Sequence, residues 1–318
     1  MRPRHFLYVF LVFFLLALVA CSNPQEQARL KLSQMKVKYS PDNFVKAAQT
    51  RNLKLVQLFL KAGMDPNVTD KKGETALLNA ARYGAPEVVK VLLAHGAKVE
   101  AKNHVIGASA LIWAATGGFT PIVQLLLDHG ADINARDNRQ GVSALMAAAN
   151  NGKTETVLLL LKRGADINAR DNFNRNALIW AAYYGRTDTV KVLLDKGADT
   201  KARENIKGMN ALLTAASRGK TETVKVLLDH GADLDARDKQ GRTALMLAAL
   251  GDWPETVRLL LERGADINAR DQEGNTAVAL ARAYRHPDIA EMLEKAAAAK
   301  PLPAPAGPRH QMEQPAPK

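Results

Sequence analysis

Two copies of Gly-Lys-Thr, at 152–154 and 219–221, are the residues best typed for phosphate chemistry, because a glycine-rich loop ending in Lys-Thr can cradle a nucleotide. That loop also needs a glycine five positions before its second one, and Ala147 and Thr214 stand there instead. His95, His129 and His230 are metal ligands by type, yet each directly precedes a glycine in the same local context, which fits a helix end better than a cluster. Cys21 is the single cysteine of 318 residues. No local motif brings a nucleophile to a base. The chain is therefore expected to be no enzyme and to have no cofactor, no metal and no small-molecule substrate. The other residues with chemical promise are aromatic: Trp180, Tyr183, Tyr184 and Phe173 crowd into twelve positions near Arg218 in a chain that is 5% aromatic, and such residues dominate protein interfaces.

What must position them is a repeat. The segment Gly-Ala-Asp-Ile-Asn-Ala-Arg-Asp occurs at 130–137, 164–171 and 264–271, and the leading glycines Gly63, Gly96, Gly130, Gly164, Gly197, Gly231 and Gly264 are 33 or 34 residues apart. Within each period Thr75, Ser109, Ser143, Asn176, Asn210, Thr243 and Thr276 form a column of N-caps, each opening an Ala-rich helix such as ALLNAAR or ALIWAAY. A second column, Pro86, Thr120, Thr154, Thr187, Thr221, Pro254 and Pro287, opens the partner helix. Acids follow at Glu87, Glu155, Asp188, Glu222, Glu255 and Asp288, where the helix dipole favours them. That helix stops at a basic residue and a glycine free to take positive φ. Both Gly-Lys-Thr copies fall in the loop between the two helices, so repetition explains them.

These columns closely resemble the ankyrin repeat, over about residues 41–296. The resemblance implies an all-α ankyrin-repeat solenoid of about eight helix pairs joined by β-hairpin-like fingers. It departs from the family in two places. The proline after the cap is Ala throughout, and the family histidine is Leu78, Ile112, Met146, Ile179, Leu213, Met246 or Ala279, which predicts apolar contact in place of hydrogen bonds. One residue is inserted in the fingers NHVIG, DNRQG and ENIKG, so those tips are expected to protrude differently. The last helix pair is more polar, as a solenoid cap must be.

In the family, the first-helix surface and the finger tips form a concave face that binds other proteins. Helical spacing leaves the fourth, seventh and eighth positions of each first helix, counted from the residue after its N-cap, on one ridge. The resulting candidates for partner binding are Arg82, Tyr83, Trp113, Phe173, Trp180, Tyr183, Tyr184 and Arg218, with Val105, Ile106, Ile206 and Met209 at inserted finger tips. The two tryptophans are equally well explained as packing between helices. A stripe of Lys102, Arg136, Arg170, Arg203, Arg237 and Arg270 could face a polyanion. An acid follows each arginine, however, and predicts a compensated, solvated ladder.

The N-terminus places the molecule. Met1-Arg2-Pro3-Arg4-His5 precedes an apolar run from Phe6 to Ala20, short for a bilayer span of about 20 residues but suited to a secretory leader. Leu18-Val19-Ala20-Cys21 resembles the bacterial lipobox; a plain secretory signal and an uncleaved signal anchor are the alternatives. The resemblance implies a signal peptide over 1–20 and lipidation of Cys21; the polar segment that follows to residue 40 reads as a tether or partly helical lead-in, and Ser22 to Tyr39 would span roughly 60 Å if extended. Two or more acyl chains anchor stably where one is marginal. By the sorting rule of enteric lipoproteins Ser22, which is not Asp, favours the outer over the inner membrane, with the solenoid facing the periplasm. Residues 297–318 are Pro/Ala-rich and read as a disordered tail.

Losing Arg2 and Arg4 with the leader takes the formal charge from +12 to +10, still strongly basic. An exported chain meets little nucleic acid, so none is expected as partner. The expected function is a membrane-anchored module that binds, and protects or inhibits, a protein of the bacterial envelope. The alternative is an envelope-structural protein whose basic surface holds an anionic polymer or lipid.

Overall fold

The computed structural model describes residues 23–299. A leading helix α1 (Pro24–Gln34) is followed by eight antiparallel helix pairs. In chain order they are α2 (Pro41–Gln49) with α3 (Leu53–Lys61), α4 (Ala76–Tyr83) with α5 (Pro86–Ala94), α6 (Ala110–Gly117) with α7 (Thr120–Asp128), and α8 (Ala144–Asn150) with α9 (Thr154–Lys162). Then come α10 (Ala177–Tyr183) with α11 (Thr187–Asp195), α12 (Ala211–Ser217) with α13 (Thr221–Asp229), α14 (Ala244–Leu250) with α15 (Pro254–Glu262), and α16 (Ala277–Ala283) with α17 (Pro287–Ala299). The even-numbered helices from α2 onward form one row and the odd-numbered ones from α3 a second. The even row packs more closely from repeat to repeat, through alanines such as Ala80, Ala114, Ala148, Ala181, Ala215 and Ala248 that are wholly buried. Small side chains at a helix contact shorten the interaxial distance, so the stack curves toward the even row, the inner one. The fingers are hairpin-like in path only: among the described residues pairing is limited to single bridges such as Thr69 with Thr75 and Arg136 with Ser143.

The expected start signals hold throughout. Each of Thr75, Ser109, Ser143, Asn176, Asn210, Thr243 and Thr276 is extended and accepts the amide three residues on. Leu78, Ile112, Met146, Ile179, Leu213 and Met246 fill the place of the family histidine with buried apolar side chains; Ala279, in the last repeat, is exposed.

Two boundaries are sharpened. Residues 24–34, expected in a polar tether or partly helical lead-in, form a helix capped by Asn23 that buries Ala28 and Leu32 against α3, and Arg29 donates to the carbonyl of Ala62 at 3.0 Å. Its apolar pair four residues apart is too sparse to stand out of a segment this polar. The last helix runs to Ala299, three residues past the expected end, because the alanine run that closes it favours helix. The lipobox, Cys21 and nearly all of the tail lie outside the described residues.

A threonine ladder along the outer row went unforeseen. Thr120, Thr154, Thr187 and Thr221, each first in its helix, share hydroxyl hydrogen bonds of 2.8–3.0 Å with Thr156, Thr189, Thr223 and Thr256 of the next repeat. The four threonines of the next repeat, Thr156, Thr189, Thr223 and Thr256, are at most 1% exposed. Where the first position is Pro86 or Pro254, which offers no hydroxyl, the matching buried residue of the next repeat is Ile122 or Ile289. The chain thus pairs hydroxyl with hydroxyl and ring with aliphatic. Thr154→Pro alone is expected to cost about 1–3 kcal/mol by stranding the buried Thr189 hydroxyl. Adding Thr189→Ile, which recreates the Pro254/Ile289 pair, should restore most of it. Thermal melts decide; a double variant no more stable than the single one refutes the ladder.

Candidate protein-binding face

The inner helices and fingers carry the predicted residues, and the fingers owe their shape to one side chain apiece, an acid in most and, in the finger at 103–108, Asn103, which accepts the amide of Ala108. Asp137, Asp171, Glu204, Asp238 and Asp271 turn their carboxylates inward and accept backbone amides two to five residues on. In the fingers with an inserted residue the loop closes at the fifth amide, at Val142 and Met209, rather than the fourth. Consecutive fingers are joined by backbone bonds, from Asn138 to Ile106, Asn172 to Gln140 and Asn205 to Phe173.

The basic stripe is engaged differently from expectation. Its arginines do not pair with the acids that follow them, because those acids are committed to amides. Arg203 and Arg237 each donate to a carbonyl of their own finger and one of the next, Arg270 donates to the carbonyl of Gly274, and Arg170 pairs with Asp199 at 2.9 Å. The histidines behave as helix ends: Nδ1 of His95, His129 and His230 lies 2.8 Å from the carbonyl one turn back. His230 also meets Asp195, and the Val226 carbonyl with this carboxylate raises its pKa above the usual imidazole value.

At mid-stack the aromatic candidates form one continuous array. The Trp180 and Tyr184 rings lie parallel within 5° at 6.4 Å, and Tyr183 meets Tyr184 edge-on at 4.8 Å. Arg218 covers Tyr183 at 4.1 Å, while Arg175 covers Trp180 at 3.8 Å and reaches Phe173 at 4.7 Å. Phe173, Tyr183 and Tyr184 remain 36–43% exposed. Trp180 is half-buried, so interhelical packing is only part of its role. Its indole N–H donates to Asp171 at 3.1 Å, and Asp171 also holds the Arg175 Nε at 2.7 Å.

Nearer the N-terminus a smaller set repeats the motif. Arg82 covers the half-buried Trp113 at 3.8 Å and pairs with Glu74 at 3.2 Å, and Tyr83 accepts from Gln49. Ile106, Trp113 and Trp180 line a shallow cleft of about 150 Å³ that links the two sets, whereas Val105 points from its finger at 78% exposure. Ile206 and Met209 line a larger cleft of about 410 Å³ beside Tyr183 and Arg218. Sequence reasoning missed Arg175 and Asp171, the residues that tie the aromatics together; one available signal was that an arginine follows Phe173 by two positions in a finger that also precedes Trp180.

Guanidinium–aromatic stacking at partly exposed positions builds a sticky, preorganised surface. Such contacts are worth about 0.5–2 kcal/mol each and hold the rings before a partner arrives. Among the described residues no group of three His, Cys, Asp or Glu side chains is placed to hold a metal ion.

Comparison with curated proteins gives no match. The family model described as ankyrin repeats, three copies, matches residues 44–137, 136–204 and 212–301, nearly the whole helical stack. By this match, its repeat columns, its caps and its row of closely packed inner helices, the chain belongs to the ankyrin-repeat family, whose members are generally non-enzymatic modules for binding proteins.

Proposed function

We propose that this chain is a lipid-anchored protein of a bacterial envelope that grips a protein partner through its inner face and protects or inhibits it there. The observation that carries the binding half is the array of Phe173, Trp180, Tyr183 and Tyr184, ordered by Arg175 and Arg218 and open to solvent. Rigid aromatics and arginines on one face are the composition of interface hot spots. The anchoring half rests on Leu18-Val19-Ala20-Cys21 at the end of a leader-like run. Because Asn23 already caps the docked helix α1, Cys21 would stand only two residues from folded mass, and the solenoid would sit close to the bilayer rather than on a long tether. Ser22 supports the outer membrane, with the inner face turned to the periplasm.

The polymer-binding alternative has less support, since Arg203, Arg237 and Arg270 spend donors on finger carbonyls. The anchor is tested by expressing the full chain and its Cys21→Ser variant in a bacterium and separating detergent-phase from aqueous proteins. Wild type is expected in the detergent phase with incorporated fatty acid, and the variant without label. A wild type that carries no label refutes lipidation. The binding half is tested by the tyrosine variant with which the Discussion begins.

A further inference from the structure

The cleft between the finger at 204–209 and the inner helices α12 and α14 has unused hydrogen-bonding capacity and unpaired positive charge. Its floor is apolar, with Ile179, Leu247 and Leu250, and its lip carries Met209 and Ile206, the latter 65% exposed. Around this floor stand four cations, of which Arg175 and Arg242 are paired at 2.7 Å with the buried Asp171 and Asp238, leaving Lys207 and Arg218 against one lining acid, Glu204. Glu204 is spent: its oxygens accept the amides of Ile206, Lys207 and Met209. Arg218 forms no ion pair among the described residues. Two buried polar atoms there have no hydrogen-bond partner, Nη2 of Arg175 and Oγ1 of Thr214, a residue only 2% exposed. Leaving such atoms unmatched costs stability that a bound acceptor would recover.

We infer that this cleft receives an apolar side chain of the partner flanked by carboxylates, so that the surface is specific for an acidic–apolar peptide segment. The inference rests on the protein-binding reading above and adds the partner's chemistry to it. The apolar side chain fills the space over Leu247 and Leu250 beneath Ile206. An adjacent carboxylate accepts from Arg175 Nη2 and Thr214 Oγ1, and a second meets Arg218. Charge complementarity selects the occupant: a basic segment would meet the unpaired Lys207 and Arg218, and a neutral one would leave their charge unanswered. The cleft shares Arg175, Tyr183 and Arg218 with the aromatic array, so one extended segment can engage both.

The test is selection of a displayed random-peptide library on the full chain, followed by titration of the most enriched peptide. Enriched peptides should carry Asp or Glu beside Leu, Ile, Met, Phe or Trp. Affinity should fall at least tenfold in Ile206→Glu and more in Arg218→Glu. The outer-helix charge reversal Lys90→Glu should leave it unchanged, with circular dichroism verifying the fold of each variant. Enrichment without acidic residues, or acidic peptides that bind Ile206→Glu as they bind wild type, overturns the inference. Peptides that lose binding with Tyr183→Ala but ignore Ile206→Glu overturn the cleft and leave the aromatic face standing. A selection yielding no peptide sensitive to either change overturns both.

Discussion

Replacing Tyr183 and Tyr184 together by alanine is expected to weaken partner binding at least about 100-fold, roughly 3 kcal/mol, while leaving the helical stack folded. Both residues sit where α10 ends, one as its last residue and the other as its C-cap, so their rings leave the helix instead of entering the core. Tyr184 gives one face to Trp180 and meets Tyr183 in a tilted edge contact, and Tyr183 gives a face to Arg218. Truncating both therefore removes apolar area and also frees the Trp180 ring and the Arg218 guanidinium that they hold in place. A partner would have to immobilise those groups itself, at about 0.5–1.5 kcal/mol for each side chain. The folded chain loses little, because these rings are 36–43% exposed and no buried polar atom depends on them. The measurement is crosslinking in cells that produce wild type or the double variant, then titration against the captured protein. Equal capture of the same proteins by both forms would refute the hot spot.

The fold was legible because each column of the repeat has one physical job that a residue type advertises. Thr75, Ser109 and Asn176 differ chemically, yet all place an oxygen over an amide three residues on, so the caps could be read without a structure. The threonine ladder was illegible for the opposite reason. Thr156 or Thr189 taken alone sits in an apolar row, and its meaning appears only when compared with the opening residue of the repeat before it, 35 or 36 positions away. The site divides along the same line. Ridge spacing placed Trp180, Tyr183 and Tyr184 on one face, since that depends on a single helix. Asp171 repeats in the role of every finger acid, so nothing in its column marks it as the one that also takes an indole N–H. The basic stripe was misread because neighbours in sequence, such as Arg170 and Asp171, point to different partners: Asp199 for the arginine, local amides and Arg175 for the acid.

Asp171 consequently joins stability to binding, and Asp171→Ala is expected to damage both. Its carboxylate is wholly buried; one oxygen accepts the amides of Phe173 and Arg175, and the other accepts the Arg175 Nε and the Trp180 indole. Removing it strands a guanidinium whose Nη2 already lacks a partner and whose side chain is 23% exposed. Breaking a buried pair on one side costs about 3–5 kcal/mol, and the partial exposure of Arg175 places the expected loss near the lower end. In a repeat stack such a loss acts locally on the repeat and its two interfaces, so faster amide exchange should centre on residues 173–184 rather than spread evenly. Binding should fall as well, since Arg175 is the bridge between Phe173 and Trp180. Asp271→Ala separates the two effects: Asp271 supports its finger through the amides of Glu273 and Asn275 but holds neither an arginine nor an indole. That variant should lose about 1–2 kcal/mol of stability, the worth of its amide bonds, and keep its affinity. If the two variants lose affinity equally at a temperature where both are folded, Asp171 acts only as a finger acid and the array does not depend on it.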